Sequence, residues 1–186
     1  MENISSRSAS AGSSPRPTAL SNIGTLYHGR GEFAKAVQAY RAAIELRPNA
    51  AVTHRNLGDS LTRLGRREEA HAAYVRSAEL SEADLKVNPK DARLAAISAV
   101  HLQKAGDVQR ARARIQDALA RAPKDIEVLY RSAVISSLTG QPEEALKFLQ
   151  MAIAGGYSKT RAGEDDDLAN LRNTSLFKQL VGSDTP

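Results

Sequence analysis

The 186-residue chain contains neither cysteine nor tryptophan. Without cysteine there can be no disulfide and no thiolate metal site. Aromatic residues make up only 4% of the sequence, so alanine and leucine must supply the packing, which favours close-packed helices over aromatic-rich sheets. No apolar run approaches the roughly 18 residues of a membrane-spanning helix. The N-terminal stretch MENISSRSASAGSSPRPT lacks the apolar middle of a secretion signal, and the expected location is the cytoplasm.

The arrangements that signal catalysis are also missing. His28, His54, His71 and His101 show no metal-ligand spacing. GRGEF, around Gly31, lacks the later glycine and the lysine of a phosphate-binding loop, and HRN at His54 lacks the aspartate of a kinase catalytic loop. The expectation is a chain that is not an enzyme and needs no cofactor or metal. A formal charge of +5, from 26 basic and 21 acidic residues, is the mild bias of a soluble surface. It is not the concentrated basic face of a nucleic-acid domain.

What the chain does have is an internal period. Gly31, Gly65, Gly106 and Gly140 are spaced 34, 41 and 34 apart, and Ala36, Ala70, Ala111 and Ala145 keep the same intervals. Pro48, Pro89 and Pro123 follow at 41 and 34, and small residues recur at Gly24, Gly58, Ala99 and Ala133. Such a period marks a stacked helical repeat. Leu20, Ile23, Leu26 and Tyr27 have helical apolar spacing. Gly31 breaks the chain where positive φ is needed. A second helix runs through Phe33, Val37, Tyr40 and Ile44, and Pro48 ends it. Asp91 and Asp125 stand where a helix N-cap belongs.

The interval of 41 contains a slip of seven residues. The distance from each proline to the following alanine landmark is constant, whereas Ala70 to Pro89 spans 19 residues against 12 from Ala36 to Pro48. The extra residues therefore lie in the second helix of the second repeat. Seven residues are about two helical turns, or about 10 Å, which leaves the apolar face nearly in phase. The segment ELSEADLKVN has no glycine or proline, so a lengthened helix is expected rather than a loop.

On these residues the chain resembles the tetratricopeptide repeat (TPR) family. LSNIGTLYHGRGEFAKAVQAYRAAIELRP places Leu20, Ile23, Gly24, Tyr27, Ala36, Tyr40, Ala43 and Pro48 on the family pattern, and three further units repeat it with decay. The resemblance implies an all-α, right-handed solenoid of four helix-turn-helix repeats. The expected organisation is a disordered tail over 1–16, repeats at 17–50, 51–91 (with the lengthened helix), 92–125 and 126–154, and a linker with a C-terminal cap over 155–186. Residues 65–181 are also similar to C-terminal TPR regions of bacterial signalling proteins that carry kinase, cyclase or transcription-regulator domains upstream. That likeness implies a role in signalling or assembly.

The acids Glu164 to Asp167 are read as partners of a following helix start, since adjacent carboxylates alone do not supply a calcium geometry. Leu168, Leu171, Leu176, Phe177 and Leu180 are expected to cover the edge of the fourth repeat. No comparable cap precedes Leu20, which motivates an expectation of self-association through the first repeat.

The resemblance implies that the first helix of each pair lines a concave groove. The expected partner-binding residues are Arg55, Asp59, Arg63, Arg93, Gln103, Lys104, Glu127 and Tyr130, forming a centrally basic surface with an aromatic ring. The expected partner is a protein or peptide, acidic in character, with no membrane. The alternative is a basic helical module for nucleic acid, for which stacking aromatics are scarce. Some TPR modules hold acidic tails in a carboxylate clamp. Asn56 matches one clamp asparagine, but Ser21 and Thr25 stand where that clamp has lysine and asparagine.

Overall fold

The computed structural model describes residues 16–182, so residues 1–15 of the expected tail and residues 183–186 of the expected C-terminal segment lie outside it. Among the described residues every regular element is helical. Four antiparallel pairs run in order: α1 (Pro17–Gly29) with α2 (Phe33–Leu46), α3 (Ala51–Arg63) with α4 (Arg67–Val87), α5 (Ala92–Lys104) with α6 (Val108–Arg121), and α7 (Ile126–Leu138) with α8 (Pro142–Ala154). A short helix α9 (Lys159–Glu164), a 3-10 turn (Asp166–Leu171) and α10 (Ser175–Val181) follow. Stacked pairs of this kind build an all-α solenoid.

The period has a direct physical cause. Gly31, Gly65, Gly106 and Gly140 close the turn inside each pair with φ between 73° and 87°, a region costly for any residue with a Cβ. Ala36, Ala70, Ala111 and Ala145 are buried where the two helices of a pair approach. Asp91 caps α5 through the amides of Arg93 and Leu94, and Asp125 caps α7 through those of Glu127 and Val128. Asp107 caps α6 in the same way.

The seven additional residues lie inside α4, one continuous helix of 21 residues against 14 in α2 and α6. Tyr74, Ala78 and Leu85 are all buried, so the helix keeps its inner face through the extension. Glu82, in the added turns, fastens them to the next pair. It accepts Ser98 Oγ at 2.6 Å, Arg110 Nη2 at 2.7 Å, and Arg114 through Nε at 2.9 Å and Nη2 at 2.8 Å. The hydrogen bond from Arg114 outweighs the cost of burial and brings the Glu82 carboxyl down to about 2.

The extension also divides the core. One apolar cluster joins repeats one and two through Tyr40, Leu61 and Tyr74, and a larger one joins repeats three and four with the C-terminal cap. Ala78, Leu102 and Ala111 form a small cluster between them. Helix α5 packs along α4, α6 and α7, and it reaches α3 through Lys104 on Asp59.

At the C-terminus, Leu168, Leu171 and Phe177 are buried with α7 and α8, and Leu180 packs beside them. Leu176, expected in this cap, points outward. At the other end, Ile23 and Leu26 are 43% and 53% exposed on α1, because no element covers that face among the described residues.

Candidate interaction groove

The first helices of the pairs carry the residues expected to line a groove, and the chain itself fills its centre. After α9, the acids Asp165, Asp166 and Asp167 run back over α3, α5 and α7 and bind there as a strap. Asp167 Oδ2 accepts Arg55 Nη2 at 2.7 Å, and Asp167 Oδ1 pairs with Lys104. Asp59 Oδ1 lies 2.6 Å from Lys104 Nζ, and Asp59 Oδ2 lies 3.4 Å from Arg55 Nη2. Two cations and two carboxylates thus form one compact network, and their side chains are only 4–16% exposed.

Electrostatics follow from that burial. Desolvation opposes the charge on Lys104, yet Asp59 and Asp167 hold its ammonium above the ordinary value. Burial likewise opposes the charge on Asp59, but Arg55 and Lys104 hold its carboxyl below the ordinary range. Tyr74 adds a hydrogen bond to Asp59 Oδ1 at 2.8 Å. The charges pair with one another, although the buried Arg55 Nε has no hydrogen-bond partner, so the network offers little free charge to an incoming molecule.

The rest of the strap is anchored with equal specificity. Asp165 accepts the Tyr130 hydroxyl, and the Tyr130 ring stacks on Tyr157 with centroids 3.8 Å apart. Ser137 Oγ donates to the Asp167 carbonyl at 2.7 Å, while Asn170 Nδ2 donates to the Ser137 carbonyl at 3.0 Å. Asp165 Oδ1 accepts the Asp167 amide at 2.9 Å and shapes the turn. Beneath it, burial of Leu168, Leu171 and Phe177 contributes on the order of 5–8 kcal/mol, enough to hold the strap in place.

The expectation of an open basic groove is therefore corrected. Arg55, Asp59 and Lys104 do come together, but under the strap. Tyr130 is 1% exposed and is not a free ring. Arg63 stands at the edge, half exposed, with Nη1 3.0 Å from Asp166 Oδ2 and its guanidinium 4.6 Å from the Phe33 ring centroid. Arg93 pairs with Asp125, Glu127 pairs with Arg131, and Gln103 lines a cleft between α6 and α7, so these three do not join the cluster.

One end of the groove remains open. A space of about 1070 Å³ lies between α1 and the strap, lined by His28, Arg30, Phe33, Arg63, Glu164 and Arg172, with Asp166 at its edge. Asp166 takes His28 Nε2 at 3.3 Å, Arg63 Nη1 at 3.0 Å and Arg172 Nη2 at 3.5 Å. Arg30 has no side-chain partner among the described residues. Arg30 and Arg172 do not stand out in the sequence as site residues, because neither belongs to the first helices that the repeat pattern marks as groove-lining. The acidic run itself is the available signal: its charge complements Arg55, Arg63 and Lys104. No group of three or more potential metal ligands occurs among the described residues, and no helix there is long and apolar enough to cross a membrane.

A solenoid of helix pairs with a lined inner face defines a class, the helical-repeat proteins. Residues 15–83 and 102–156 each match the family described as Tetratricopeptide repeat, together about two thirds of the chain. The chain belongs to the tetratricopeptide-repeat family and is a protein-interaction scaffold of that kind.

Among curated proteins, it is 36% identical over 64 residues to a peroxisomal targeting signal receptor of Kluyveromyces lactis, and 36% identical over 58 residues to that of Candida albicans. Those matches span 34% and 31% of this chain but only 11% and 10% of the receptors. Among solved structures, a thermophilic TPR protein of Thermus thermophilus superposes with a TM-score of 0.50 at 14% identity, covering 89% of this chain and 86% of the other. That likeness concerns the fold.

Proposed function

We propose that this chain is a non-enzymatic adaptor that binds an acidic segment of a partner protein at the open end of its groove, on His28, Arg30, Arg63 and Arg172. The observation that carries the reading is Asp166. This single carboxylate of the strap already draws two guanidinium groups and the His28 imidazole to one point, and Arg30 stands nearby unpaired. Asp166 thus acts as an internal template for a partner carboxylate.

Magnitudes favour this end over the centre. Exposed ion pairs are worth about 0–1 kcal/mol each, so exchanging Asp166 for a partner acid costs little. Withdrawing Asp167 leaves two buried cations, Arg55 and Lys104, sharing Asp59 alone, at about 3–5 kcal/mol. The same pairing argues against nucleic acid, because the central cations are neutralised by the chain's own acids. The role we infer for such an adaptor is in cytoplasmic signalling or assembly, as the sequence resemblance over residues 65–181 implies. Exposed Ile23 and Leu26 support self-association through the first repeat; a chain that stays monomeric by light scattering at high concentration would refute that part.

The direct test is calorimetry with the probe peptide Ac-Glu-Asp-Asp-Asp-NH2 against the wild type and the double variant Arg30→Glu/Arg63→Glu. The reading expects at least a tenfold loss of affinity. Unchanged affinity would overturn it.

A further inference from the structure

The seven-residue extension of α4 leaves a cleft that the groove does not use. The added turns of α4 set the start of α5 farther along, and Leu94 and Ile97 of α5 line one cavity with Ala51, Val52 and Thr53 at the start of α3. A cavity of about 330 Å³ opens between α5, the start of α1 and the α2–α3 turn, within the size range of ligand-binding pockets. Ala50, Val52, Leu94 and Ile97 provide its apolar wall, and Ser81, from the added turns, lines its floor. His101 also lines it; burial, with Arg55 nearby, brings that imidazole down to about 3, so it is neutral at physiological pH. The interior is therefore uncharged.

The lining has a different chemistry where it meets solvent. Asn22, Arg47, Asn49 and Asp84 are exposed there, and none has a side-chain partner among the described residues. This contrasts with the groove centre, where each charge is answered. An uncharged interior takes an apolar group. Amide side chains at the edge can pair with a main chain, and one unanswered charge of each sign complements a segment carrying both.

We propose that this cleft is a second binding site, which takes an apolar side chain from an extended partner segment flanked by one acidic residue for Arg47 and one basic residue for Asp84. The site is separate from the Asp166 end of the groove and does not depend on it. The lengthened helix then has a functional consequence: the repeat that breaks the period opens the recognition pocket.

The experiment uses the full chain, 15N-labelled, titrated with Ac-Glu-Leu-Lys-NH2 and Ac-Lys-Leu-Glu-NH2. The controls are the same peptides with serine in place of leucine. At least one leucine peptide should shift the amides of Val52, Ser81 and Ile97, and bind at least fivefold more tightly than its serine counterpart. Val52→Glu, at a position already 52% exposed and so compatible with folding, should remove those shifts, while Arg63→Glu should leave them intact. The inference is overturned if neither leucine peptide moves these amides, if serine binds as well as leucine, or if Arg63→Glu abolishes the response.

Discussion

Asp167 and Arg55 stand 112 residues apart in sequence, and their carboxylate and guanidinium meet at 2.7 Å. That contact ties the C-terminal strap to the second repeat and closes the centre of the inner face. Its neighbour, Asp166, faces the other way, with a side chain 39% exposed against 4% for Asp167. Two adjacent aspartates thus have different roles: one completes the fold, and the other marks the end of the groove that stays open.

The two aspartates should respond differently to mutation. Asp167→Ala leaves Arg55 and Lys104 buried with one carboxylate between them, and should cost about 3–5 kcal/mol. Asp166→Ala removes only partly exposed pairs, and should cost about 1 kcal/mol or less. Urea denaturation of both variants against the wild type checks the ordering, and equal losses would contradict it.

Release of the Asp166 partners should also be visible in binding. Asp166→Asn frees His28, Arg63 and Arg172 for an incoming carboxylate, and should tighten the Ac-Glu-Asp-Asp-Asp-NH2 probe by about fivefold, equivalent to about 1 kcal/mol. Calorimetry measures this directly. Weaker binding would show that Asp166 does not compete with the probe for these side chains.

Glu82 predicts a pH dependence. Its carboxyl falls from 4.5 to about 2 in the folded chain, chiefly through Arg114. A depressed folded value means that its stabilisation is fully present above about 4.5 and is lost as the pH falls from there toward 2. Glu82→Gln should lower stability by about 2 kcal/mol at neutral pH and flatten the acid limb of the stability curve. Thermal melts of both proteins from pH 6 to 2.5 test this, and parallel curves would remove Glu82 from the account.

Gly24 and Tyr40 predict a coupled pair. A Cβ at Gly24 would lie 2.6 Å from Tyr40 Cε1. In repeats three and four, alanine takes the small position (Ala99, Ala133) and an aliphatic residue replaces the tyrosine (Ile115, Leu149). Gly24→Ala should therefore cost about 1–3 kcal/mol in the wild type, and well under about 1 kcal/mol in a Tyr40→Ile background. Denaturation of the four-member cycle measures the coupling.

The repeat pairs are legible in the sequence because their rules are local: glycine at each turn, alanine at each helix approach, aspartate at two of the caps. The slip is legible too, since spacing between Ala70 and Pro89 places it within one helix. The candidate site is only half legible. Arg55, Arg63 and Lys104 stand out as cations on first helices, but the acids Glu164–Asp167 look like partners of a nearby helix end. Repeat spacing dictates which helix neighbours which. It carries no information about where a non-repeating tail lands, and the pairing of Asp167 with Arg55 arises only after four pairs have stacked. Ile23 and Leu26 illustrate the same limit, because their apolar spacing marks a helix face without naming what covers it.

The acidic strap sits on the buried cations of the inner face. A double-mutant cycle between Asp167→Asn and Lys104→Met, measured by urea denaturation, tests it most directly. Direct contact in a buried network predicts a coupling energy of at least about 1.5 kcal/mol between positions 63 residues apart. Additivity within about 0.5 kcal/mol would show that the strap does not rest on Lys104 in solution.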